Sequence, residues 1–185
     1  MKKYIGLMVM IMGVGASLCS AGITDINLEF PTDPPTVEHV YWGYDELSET
    51  LTLIENYIAD GPDDIVITGY ADTDPVLSFD KTVTNENENT WVGYELSLDP
   101  EGDAVFDYTV TPSSDVFTII ETMDPLVLVF SAPEPVPVGE TVTFSFDVLV
   151  PAGDLNVCLT QEAIPEPATM IMFGFGGLAL LRRRR

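Results

Sequence analysis

A chain of 185 residues carrying 30 acidic against seven basic side chains, a formal net charge of −23, is long enough for one domain with its own core. Between Lys3 and Arg182 the one Lys or Arg is Lys81. That excludes nucleic acid and anionic lipid as partners of the middle of the chain, because both are bound by clustered cations.

The first predicted element is a leader. Lys2 and Lys3 form a positive start, Ile5 to Leu18 an apolar run, and Ser20, Ala21 and Gly22 a small-residue site. This pattern predicts a signal peptide over residues 1–21, read by the secretion machinery and cut after Ala21, or alternatively after Ala16. Cys19 leaves with it. Cys158 then stands alone, which excludes a disulfide framework and suits a half-buried strand residue.

Residues 22–163 form the acidic domain. Apolar and polar residues alternate along Ile26, Leu28 and Phe30; along Leu77, Phe79 and Val83; and along Val92, Tyr94, Leu96 and Leu98. The same alternation runs through Ala104, Phe106, Tyr108 and Val110, and through Val142, Phe144, Phe146, Val148 and Val150. A period of two predicts strands with one buried face. Leu47, Leu51, Ile54 and Ile58 fall at helical spacing, but the β-branched stretch Thr50 to Ile54 favours a strand. Turn residues separate the runs, among them Asp60 to Asp64, Asn85 to Asn89, Asp99 to Asp103, Pro133 to Gly139 and Pro151 to Asp154. Ten or eleven short strands at this spacing predict an all-β fold, an antiparallel β-sandwich of immunoglobulin-like or jelly-roll type.

The last element occupies residues 164–185. Pro165-Glu166-Pro167 is followed by 14 uncharged residues, Ala168 to Leu181, and then by Arg182, Arg183, Arg184 and Arg185. As a helix those 14 residues span about 21 Å, short of a hydrocarbon core of about 30 Å. The arginines extend the anchor by snorkelling and hold that end in the cytoplasm, which places the acidic domain outside. A short transmembrane helix is expected here. Three glycines, at 174, 176 and 177, weaken it, as suits a transient anchor.

In that order, the Pro-Glu-Pro, the apolar segment and the arginines resemble the PEP-CTERM sorting tail of Gram-negative bacteria. The resemblance implies recognition and cutting by an exosortase, a membrane-embedded cysteine peptidase. It further implies transient anchoring in the inner membrane, then release to the cell surface or an exopolysaccharide matrix. Pro165, Glu166 and Pro167 would be the recognised motif and Arg182 to Arg185 the membrane stop. A second tripeptide, Pro133-Glu134-Pro135, has neither apolar segment nor arginines after it and is expected to be a stiff loop before a strand.

Candidate chemistry in the domain is sparse. Asp99, Glu101 and Asp103 around Gly102 could offer oxygen ligands to calcium, although the Glu that closes an EF-hand loop is missing. Turn-capping by Asp is the plainer role for these residues, and for Asp60, Asp63 and Asp64. Trp42 and Trp91 are candidate platforms for stacking sugar rings. With His39 as the single histidine, no nucleophile–base set can be assembled, and paired carboxylates mean little among 30 acids. The expectation is a non-enzymatic exported surface or matrix protein without a cofactor. The alternative is a carbohydrate-binding or calcium-dependent adhesion module.

Overall fold

Twelve strands account for the regular structure of residues 22–73 and 75–166, which the computed structural model describes. The expected signal peptide, Pro167, the apolar segment and Arg182 to Arg185 lie outside those residues. In chain order the strands are β1 (Ile23–Glu29), β2 (Val37–Asp45), β3 (Thr50–Tyr57), β4 (Asp63–Ala71), β5 (Val76–Asn85) and β6 (Trp91–Leu98). There follow β7 (Val105–Asp107), β8 (Ser113–Ser114), β9 (Ile119–Asp124), β10 (Val127–Val136), β11 (Thr141–Leu149) and β12 (Gly153–Pro165).

They form two sheets. One has the order β1-β4-β12-β6-β10-β9; the other has β2-β3-β5-β11-β7, with β8 paired to β11. Alternation sets which face is buried. Leu51, Leu53, Glu55 and Tyr57 point inward from β3, Leu77, Phe79, Lys81 and Val83 from β5, and Val142, Phe144, Phe146 and Val148 from β11. The ambiguous stretch around Leu51 and Ile54 is therefore strand, as β-branching favours. Aromatic rings join the two sheets across the interior. Tyr57 meets Trp91 edge-on at 5.4 Å, and Phe144 packs on Tyr94 at 4.6 Å and Phe130 at 5.1 Å. Such pairs add about 0.5–1.5 kcal/mol each beyond their buried area.

Three features depart from expectation. The pairing is antiparallel except that β3 and β5 run parallel. The chain leaves β3, crosses to the other sheet as β4, and returns beside β3 as β5, so two reversals restore the direction. The run from Ala104 to Val110 is strand only over β7; Val110 is 62% exposed and Tyr108 turns its hydroxyl to the Asp124 carbonyl at 2.8 Å. Pro133-Glu134-Pro135 lies within β10 rather than in a loop before it. It sits where the pairing of β10 with β6 lapses between Ser131 and Val136, the kind of interruption that tolerates prolines without an N–H to donate.

Candidate functional site

The sorting motif begins inside the fold. β12 lies between β4 and β6 in the interior of its sheet, and its register with β6 continues through Ile164 opposite Gly93 and Pro165 opposite Trp91. The next residue, Glu166, is tied to Thr90 twice. Its N–H donates to the Thr90 carbonyl at 2.9 Å, and the Thr90 hydroxyl donates to its carboxylate at 3.0 Å. This clasp is exposed, and each bond has a net worth of about 0.5–1.5 kcal/mol. Opening it frees Glu166 while β12 stays paired along both edges.

A second constellation lies between the sheets. Glu55 from β3, Lys81 from β5 and Asp63 from β4 are each at most 1% exposed, and Gln161 from β12 is fully buried. Lys81 Nζ donates to Glu55 Oε2. His39 from β2 bonds Glu55 Oε1 through Nδ1 at 2.9 Å and Asp63 Oδ2 through Nε2 at 3.1 Å, while its ring stacks on Phe30 at 3.6 Å. The Gln161 amide donates to Asp63 Oδ2 at 3.4 Å and accepts from the Tyr94 hydroxyl at 2.7 Å. Burial depresses the His39 pKa, but the bonds to Asp63 and Glu55 outweigh it and the net shift is upward. A carboxylate on each nitrogen favours the protonated ring. Burial likewise pushes the Glu55 carboxyl up, yet Lys81 and His39 together hold it below its ordinary value. For Lys81 burial prevails over the attraction of Glu55, and its pKa is lowered. The arrangement places an amine, a carboxyl group and an imidazole together between the sheets.

Sequence reasoning passed over this cluster, although a signal was present. Glu55 continues the inward phase of Leu51 and Leu53, and Lys81 stands between Phe79 and Val83 in theirs. A charge in the inward phase of a strand is a buried charge. Asp63, expected to cap a turn, is also inside.

The predicted site residues are scattered. Trp91 is fully buried under Tyr57, so it offers no sugar platform. Trp42 is 37% exposed on the edge strand β2, beside Tyr41 at 55%. In the turn of Asp99, Glu101 and Asp103, Asp99 Oδ1 accepts the Glu101 N–H at 2.9 Å, the capping role. Among the described residues, no three carboxylates, histidines or cysteines converge as a cation site. Asp60 accepts the side-chain amides of Asn87 and Asn89 at 3.0 and 2.6 Å, and Asn85 and Asn87 of this turn are buried. Cys158 is half-buried on β12, and burial raises its thiol pKa.

Residues 163–185 match a family model, the PEP-CTERM protein-sorting motif. No curated protein and no solved structure matches the chain.

Proposed function

From a chain that ends in a PEP-CTERM protein-sorting motif, we propose an exported, non-enzymatic structural protein of a Gram-negative cell surface or exopolysaccharide matrix. An exosortase-like peptidase reads Pro165, Glu166 and Pro167 while the tail rests in the inner membrane, and its cut releases the β domain. The observation that supports this reading is where the motif sits. β12 ends at Pro165, so a cut beyond the motif leaves both of its pairings, to β4 and β6, complete.

The domain's surface agrees with a life outside the cell. Among the described residues Lys81 is the one Lys or Arg, and it is buried, so the exterior presents carboxylates without a Lys or Arg among them. Such a surface repels its own copies and anionic membrane, and it attracts the divalent cations that bridge acidic polysaccharides.

Replacing Pro165, Glu166 and Pro167 together by alanine in the native host tests the proposal. The variant is expected to accumulate at precursor length in the membrane fraction. Release at the wild-type mature size would overturn the assignment of the motif.

A further inference from the structure

Why a chain with 30 acids keeps its one domain lysine in the core has a chemical answer. Lys81 and Glu55 lie on neighbouring parallel strands. Leu53 is the register partner of Lys81 and Val83 that of Glu55, so the two charged side chains are diagonal neighbours on the inner face. Both are buried, Lys81 Nζ contacts Glu55 Oε2, and Glu55 Oε1 is held by His39 Nδ1 at 2.9 Å. Phe144 is the register partner of Lys81 on its other side, and Tyr94 packs on Phe144 at 4.6 Å. We propose that Lys81 and Glu55 condense into an intramolecular isopeptide bond between Nζ and Cδ, with His39 as the catalytic group and Asp63 as the residue that positions it.

The driving force is desolvation. An ion pair keeps two charges in a dry interior at a large penalty; a secondary amide keeps none and still offers its carbonyl to His39. In water the same condensation is opposed by solvation of the separated charges, and here that solvation is absent. The lowered pKa of Lys81 favours the free amine that a nucleophile requires.

The steps balance without an outside reagent. One proton passes from Nζ to Glu55, turning the ion pair into an amine and a carboxylic acid. The Nζ lone pair adds to Cδ, and Oε1 takes the developing negative charge against the N–H of His39. A second Nζ proton moves to the Oε2 hydroxyl, the Cδ–Oε2 bond breaks, and water leaves. Of the three ammonium protons one stays on the amide and two depart with Oε2. Nothing is oxidised or reduced. Asp63, bonded to His39 Nε2, keeps the imidazolium charged and its Nδ1–H aimed at Glu55.

The product would staple β3 to β5 across the excursion through β4. Unlike the sorting proposal, it does not depend on how the ends of the chain are processed.

Peptide mapping of the folded, full-length protein after denaturation tests the bond. Digested with an Asp-specific protease and trypsin, the protein is expected to give one branched peptide carrying both Glu55 and Lys81, lighter by one water than its two arms, with no tryptic cleavage after Lys81. Linear peptides of full mass with cleavage after Lys81 would overturn the proposal, and so would a branch from Lys81 to Asp63. Lys81→Met restores the full mass if it folds; if it does not, the wild-type map decides alone. When newly synthesised, uncondensed chain folds, His39→Gln should slow the loss of water by about a hundredfold, the scale for removing one donor to a developing oxyanion. A wild-type rate in that variant would remove His39 from the reaction.

Discussion

At the scale of single residues, His39 governs how stability responds near neutral pH. It faces Glu55 from β3 and Asp63 from β4, and both raise its pKa above the ordinary 6.5 despite burial. Its stabilising charge is therefore fully present below 6.5 and is lost as pH climbs through the raised folded value. Glu55 acts with the opposite sign, because its folded pKa lies below 4.5: its contribution is present above 4.5 and is lost as pH falls through the folded value. Condensation with Lys81 would remove the Glu55 limb and leave the Asp63 carboxylate alone to raise the His39 pKa. The melting temperature is expected to fall as pH rises above 6.5, and His39→Gln should flatten that slope. A parallel slope in wild type and variant, followed by calorimetry, would contradict the network. Trp91 teaches a related lesson. Its identity suggested a sugar platform, yet it is core, and its indole N–H has no partner among the described residues. Truncation to alanine would cost about 3–5 kcal/mol and would remove glycan binding, if there were any, by unfolding the domain.

At the scale of elements, β12 joins fold to sorting signal. Its seat depends on Gly93 of β6, which pairs with Ser131 of β10 on one side and Ile164 of β12 on the other. A Cβ at Gly93 would lie 2.9 Å from the Phe130 carbonyl oxygen and 3.1 Å from Ile164 Cδ1. Backbone cannot retreat cheaply, so Gly93→Val is expected to cost about 1–3 kcal/mol. The urea midpoint should fall with the slope unchanged; an unmoved midpoint would show that the end of β12 is held otherwise. The long strands were legible because alternation is a local property. Val142 to Val148 and Leu77 to Val83 show their buried face in sequence. Partnership was not legible. Nothing near Thr50 or Val76 announces that β3 and β5 run side by side, since that depends on β4 leaving for the other sheet. The short β7 and β8 carry too few residues for a period to show, and β10 tolerates two prolines because its pairing lapses where they fall.

At the scale of the whole molecule, charge is sorted as clearly as hydrophobicity. Apart from Lys81, every Lys and Arg belongs to the two ends of the chain, while the domain presents acids outside and encloses its one lysine. The sorting motif was legible because its three parts are contiguous in sequence. The buried cluster was not, because His39, Glu55, Asp63, Lys81 and Gln161 come from five strands and meet only when both sheets close. The domain is also completed last. β12 lies between β4 and β6, so its sheet is complete only with the chain as far as Pro165, immediately before the rest of the motif. Intact-mass spectrometry of the protein from the surface and medium of its native host tests this account most directly. The expected mass lacks residues 1–21 and everything beyond the Pro-Glu-Pro motif. A mature mass that still includes Arg182 to Arg185 would contradict it and make the chain a permanently anchored membrane protein.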